Sequence, residues 1–191
     1  MIIKNIPLQN IKKLILLLIF LCQNSTIQNI FSKMKDVFSI KVALQKIENF
    51  CAYQERSHEE VVSKLRSMKM DSDEIDQIMV YLITENFINE ERFACSFARG
   101  KHRIKLWGKI RIINELKFRN ISQTLINTAL KEITPEEYLK TFHALAERHW
   151  ESIREKNILN KRKKFCDYLL RRGYESNLVY DKVKEFENSG Q

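Results

Sequence analysis

Twelve apolar positions fall into three matching sets of four, and this recurrence limits what the chain can fold into more than any other feature. Leu65, Leu116 and Leu169 stand 51 and 53 residues apart. Five residues beyond each come Met70, Ile121 and Tyr174. Ten beyond come Ile75, Ile126 and Val179, and fourteen beyond come Met79, Leu130 and Val183. The spacing reads as a helix, a four-residue turn and a second helix, three times over. Just before the second member of each set stands Lys69, Asn120 or Gly173. Asn and Gly suit the left-handed conformation that ends a helix, so two of the three agree on a C-terminal cap there. Each unit is too small to bury its own apolar face. The expectation is an all-α array of three tandem three-helix repeats, each completed by its neighbour.

Other architectures lack the residues they need. With 2 Pro and 4 Gly among 191 residues, and no continuous β-branched run, a β-rich fold has too little turn chemistry. Helix-start signals are frequent instead. Ser57-His58-Glu59-Glu60 and Asp71-Ser72-Asp73-Glu74 read as capping boxes, in which the first side chain and the carboxylate three residues on each bond the other's amide. Thr134-Pro135-Glu136-Glu137 reads the same way, with Pro at the first helical position. Asn89 caps a helix opened by Glu90 and Glu91, where anions suit the helix dipole. The expected buried stripes are Val42, Ile47 and Phe50 with Ala43 and Leu44, then Val61, Val62 and Leu65, then Ile75, Ile78, Met79 and Leu82. Further on they are Ala94, Phe97 and Ala98, then Leu106, Ile110 and Ile113 widened by Ile112 and Leu116, then Leu139, Phe142, Ala146, His149 and Ile153. The repeats divide the chain at 34–86, 87–133 and 134–187, with a tail at 188–191.

Residues 1–33 stand outside the repeats. Lys4, Lys12 and Lys13 precede nine apolar residues, Leu14 to Cys22, too short a run to span a bilayer, which takes about 20. The order resembles a signal peptide, yet no small-residue cleavage site follows. The reading preferred here is an early start, with Met34 the true beginning. Four cysteines (Cys22, Cys51, Cys95, Cys166) stand far apart with no paired spacing, which points to reduced thiols and a cytoplasmic setting rather than disulfides or zinc.

No enzyme constellation stands out. Gly100 and Gly108 are isolated, and the histidines (His58, His102, His143, His149) are scattered, with His149 on an apolar stripe. The chain reads as a non-enzyme with no cofactor, no metal and no small-molecule substrate. Charge carries more information. Residues 48–91 hold 11 acids and 4 bases, whereas 99–119 hold 8 bases and 1 acid and 154–172 hold 8 bases and 2 acids. Arg99, Lys101, Arg103, Lys105, Lys109 and Arg111 in the second repeat match Lys161, Arg162, Lys164, Arg171 and Arg172 in the third. Stacked repeats would bring the two runs onto one surface suited to a polyanion or an acidic protein groove. Trp107 has two readings, a packing residue or a stacking platform for a base.

Residues from about 36 to 187 resemble the RecX family of recombination regulators. The resemblance rests on Phe87-Ile88-Asn89-Glu90-Glu91-Arg92-Phe93-Ala94, on Arg99 and Lys101, and on Trp107-Gly108-Lys109-Ile110-Arg111-Ile112 with Leu116 and Ile121. Ser57 to Leu65 matches the first repeat less sharply, and the third repeat, with Leu169, is generic. The resemblance implies an elongated, curved helical monomer. It also implies a modulator that lodges in the groove of the RecA–DNA filament, usually suppressing strand exchange, ATP hydrolysis and coprotease stimulation in homologous recombination and the SOS response. Departures are Gln54 where the family usually has Arg, Asn89 where it has an acid, and Lys109 and Asn120 where Pro and Gly are common. Two functions stay open: a regulator of the recombinase filament aided by weak, non-specific contact with single- or double-stranded DNA, or a plain helical DNA-binding protein with helix-turn-helix-like repeats.

Overall fold

The structure, a computed structural model, describes residues 40–189, so the expectations for residues 1–33 lie outside the described residues. Among the described residues the chain forms nine helices and no strand. These are α1 (40–53), α2 (His58–Ser67), α3 (Ser72–Thr84), α4 (Glu90–Lys105), α5 (Lys109–Phe118), α6 (Gln123–Lys131), α7 (Pro135–Ser152), α8 (Ile158–Arg171) and α9 (Ser176–Ser189). They group in threes, giving an all-α fold of tandem three-helix units.

The repeat has a local physical cause. Lys69, Asn120 and Gly173 all take positive φ, at 64°, 58° and 86°. The amide of the next residue then donates back to the carbonyl of the repeated leucine: Met70 to Leu65, Ile121 to Leu116 and Tyr174 to Leu169, at 3.3, 3.1 and 3.2 Å. The amides of Lys69, Asn120 and Gly173 donate to Arg66, Lys117 and Leu170. This pair of bonds is the Schellman motif, which closes a helix and presses the residue after the cap onto the leucine. Lys69 takes the conformation although its side chain disfavours it. Leu65, Leu116 and Leu169 are fully buried, and of the other nine repeat positions only Met70 and Leu130 are merely half-buried.

Both N-terminal capping boxes form. Ser57 and Glu60, and Asp71 and Glu74, bond each other's amides reciprocally at 2.9–3.2 Å. At α7 only half of the expected box exists. Thr134 accepts from the Glu137 amide, but the Glu137 carboxylate turns to Arg103. Three stripes also need correction. In α1 the core side is Ala43, Ile47 and Cys51, with Val42 and Phe50 half-buried. In α5 Ile112 and Leu116 are buried while Ile110 is 42% exposed. In α7 Tyr138, Phe142, Leu145 and Ala146 form the core side, and Leu139 is exposed.

The three units are not equivalent. Unit 1 closes a core of its own from Ala43 to Ile88, centred on Ile47, Val61, Leu65 and Leu82. Units 2 and 3 share one core running from Phe93 to Val183. The expectation that every unit is completed by its neighbour therefore holds for these two alone. Their seam is a backbone crossing. The amides of Gly108 and Ile110 donate to the carbonyls of Arg172 and Gly173, at 2.8 and 3.0 Å. A Cβ on Gly108 would land inside the Gly173 peptide, and one on Gly173 would land on Arg111. Glycine at both positions lets the start of α5 lie directly on the α8–α9 turn. Between units 1 and 2 polar side chains pair, Arg92 with Glu55 and Asn120 with Glu59.

Candidate functional site

The start of α5 and the end of α8 meet at the glycine crossing, so the basic residues adjoining them are carried there by backbone rather than by flexible loops. Arg111 lies with its guanidinium 4.0 Å from the Trp107 ring centroid and donates to the Arg171 carbonyl at 3.2 Å. Arg172 lies 4.8 Å from the Tyr168 centroid and donates to the Lys105 carbonyl. Each arginine thus stacks on an aromatic ring of its own unit and hydrogen-bonds the backbone of the other. Stacking and carbonyl bonds fix a guanidinium without neutralising it. Arg171 donates to the carbonyl of Asp167 at 3.1 Å. Together with Lys105, Trp107 and Tyr168 these arginines line a cleft of about 470 Å³ with no carboxylate in its wall. Among the described residues, Lys105, Arg111, Arg171 and Arg172 make no ion pair.

The other basic residues named from the sequence are differently placed. Arg99 pairs with Glu132 at 2.6 Å, and Arg103 grips both oxygens of Glu137 at 2.7 and 3.2 Å. The hydrogen bond between them raises the pKa of Arg103 and lowers that of Glu137. Lys164 pairs with Glu155 at 2.8 Å, which lowers the Glu155 pKa. Those three charges are internally compensated. Lys101 sits over Phe97 and Trp107, Lys109 over Tyr138, and Lys161 over Trp150, all within 5.1 Å of the ring centres. At about 100° per residue, Lys161, Lys164, Tyr168 and Arg172 form one stripe of α8. Arg162 falls on a different side of that helix and is exposed.

Trp107 is half-buried, edge-on to Phe97 at 6.4 Å, and covered by Arg111 and Lys101. It packs and presents cations rather than an open ring face. His149 stacks on Tyr168 at 3.8 Å, and burial lowers its pKa.

Several positioning roles escaped the sequence reading. His102 is fully buried, with Nδ1 3.0 Å from the Trp107 carbonyl, and so helps hold the turn before Gly108. Tyr138 donates to Glu175 at 2.6 Å and accepts from the Lys109 amide at 3.2 Å. Burial, seconded by the Glu175 bond, pushes its pKa up. Tyr174 donates to the Leu106 carbonyl at 3.3 Å, and burial pushes its pKa up to about 12. Tyr138 and Tyr174 thus tie unit 3 to the segment that sets Arg111, and His102 braces that segment from α4. Tyr174 showed in the sequence only as a repeated apolar position, which does not reveal a hydroxyl's partner. Among the described residues no group of three or more His, Cys, Asp or Glu is placed to hold a metal ion. Among them too, no helix is long and apolar enough to cross a membrane.

Comparison with known proteins gives a consistent answer. Residues 89–130 match the family model for the second three-helix domain of RecX, and residues 136–183 match that for the third. Curated relatives include the regulatory protein RecX of Bacillus cytotoxicus, 24% identical over 139 residues, covering 73% of this chain and 51% of that protein. The regulatory protein RecX of Geobacillus kaustophilus is 24% identical over 140 residues, covering 73% and 52%. The chain spans about half the length of these curated relatives. Among solved structures, a regulatory protein RecX superposes with a TM-score of 0.69 at 22% identity, covering 81% of this chain and 77% of that one. RecX from Lactobacillus salivarius gives 0.65 at 25% identity, covering 79% and 98%.

Proposed function

Because the chain belongs to the RecX family, we propose that it is a regulator that binds the RecA–DNA filament and inhibits its recombinase, ATPase and coprotease activities. It acts as a monomer in the cytoplasm, without a cofactor, and touches single- or double-stranded DNA weakly and without sequence preference. One observation carries this reading: the arginines of the unit 2–unit 3 seam are held rigidly by aromatic rings and carbonyls, yet no carboxylate of the described residues neutralises them. Uncompensated, preorganised guanidinium groups suit an anionic groove made of protein and phosphate. The compensated residues, Arg99, Arg103 and Lys164, are paired with Glu132, Glu137 and Glu155 and contribute local stability.

The test is charge reversal at the two exposed cations of the cleft. Lys105→Glu with Arg171→Glu should leave helix content and thermal midpoint nearly unchanged, since exposed charges contribute about 0–1 kcal/mol each. Suppression of RecA ATP hydrolysis and retention of the protein on RecA-coated DNA should both be lost. A doubly reversed protein that inhibits as well as the parent would remove this cleft from the account.

A further inference from the structure

The seam has an apolar side that its charge does not explain. The basic cleft shares Arg111 and Arg171 with a neighbouring cleft whose wall includes Ile110, Phe118 and Leu170, and also Glu115, whose carboxylate is taken up by Arg119 at 2.8 Å. Ile110, Asn114 and Phe118 follow one another at four-residue spacing and form one ridge along α5. Phe118 is 78% exposed, and Ile104, at the rim of the basic cleft, is 76% exposed. The core side of α5 is already filled by Ile112 and Leu116. Single exposed apolar residues are ordinary on a protein surface. Here Ile104, Ile110 and Phe118 flank one pair of arginines.

That composition decides the class of partner. A phosphodiester backbone is met by cations and hydrogen-bond donors and gains nothing from isoleucine. Successive nucleobases need a succession of open aromatic faces, yet of the three rings in these two clefts Trp107 is covered by Arg111 and Lys101 and Tyr168 by His149 and Arg172, which leaves Phe118 alone open. Arginine with large apolar and aromatic side chains is the make-up of the centre of a protein–protein interface. Among the described residues the arginines meet no carboxylate, so charge complementarity assigns carboxylates to the occupant. We infer that the α5 ridge and its arginine wall form a docking surface for an acidic, amphipathic protein segment. Its apolar side chains meet Ile104, Ile110 and Phe118, and its carboxylates meet Arg111 and Arg171. This rests on the reading of the chain as a filament regulator, and assigns the segment to the filament's protein rather than to its DNA.

Two probes separate the outcomes, a labelled single-stranded oligonucleotide alone and the same oligonucleotide coated with RecA, with binding followed by fluorescence anisotropy. The full chain carrying Ile104→Ala and Phe118→Ala should bind the coated strand about tenfold more weakly or worse, as loss of an interface anchor does. Its affinity for the bare strand, the salt dependence of that affinity and its thermal midpoint should match the parent. Arg171→Gln should also weaken binding to the coated strand. Unchanged binding to the coated strand overturns the docking surface while leaving the regulator standing. An equal fall on both probes overturns it in favour of a nucleic-acid face. A parent that does not distinguish coated from bare strand overturns the regulator reading and this surface with it.

Discussion

Lys69 and Gly173 hold the same place in two units with opposite suitability for it. Both are left-handed, at φ 64° and 86°, and both let the next amide close the helix onto a buried leucine. A residue with a Cβ pays about 1–2 kcal/mol for that conformation, and glycine does not. Lys69→Gly should therefore stabilise unit 1, by up to about 1 kcal/mol after glycine's own entropic cost of about 0.5–1. Gly173→Ala should do the reverse and by more, because the added methyl also meets Arg111 at the crossing. Denaturant titration of the two variants checks both signs. The sequence announced the caps at Asn120 and Gly173 through residue type, and missed Lys69 because the leucine and its partner five residues on impose the turn there. Likewise Gly108 looked like an isolated glycine in the sequence. Only the approach of Gly173, 65 residues away, gives it a reason.

At the level of helices, capping and periodicity carried most of the information, and packing direction the rest. The boxes at Ser57 and Asp71 form as read because both partners lie within four residues. The box at Thr134 forms only in half because Arg103, from another helix, competes for Glu137. Ile110 and Leu139 were read as core since they are apolar at helical spacing, but the pattern does not say which flank of a wide stripe faces the neighbour. Helix pairing also determines how stability is shared. Leu65 belongs to the core of unit 1, whereas Leu116 and Leu169 belong to the core shared by units 2 and 3. Each leucine-to-alanine change should cost about 2–5 kcal/mol, the usual range for a core leucine. Hydrogen exchange should show Leu65→Ala deprotecting α1–α3 alone, and Leu116→Ala deprotecting α4–α9 together. Deprotection of α1–α3 by Leu116→Ala would mean that one core, not two, holds the molecule.

On the scale of the whole molecule, the chain is electrically polar. Unit 1 with the start of α4 gathers acids, and the seam of units 2 and 3 gathers arginines that the described acids leave unneutralised. The sequence showed the two basic runs and suggested one surface. It did not show that Arg99, Arg103 and Lys164 would find carboxylates, or that Arg162 would lie on another side of α8, because those outcomes depend on distant residues. What remains is a compact basic focus, placed by a glycine crossing and bordered by exposed isoleucine and phenylalanine. A plain DNA-binding protein would inhibit a recombinase only by occupying its DNA, whereas a filament regulator acts on the filament itself. The most direct measurement titrates the full chain into RecA-catalysed ATP hydrolysis with single-stranded DNA in large excess over the added protein. The account predicts that hydrolysis falls while most of the DNA is still free of the protein. Inhibition that appears only as the protein saturates the DNA would contradict it.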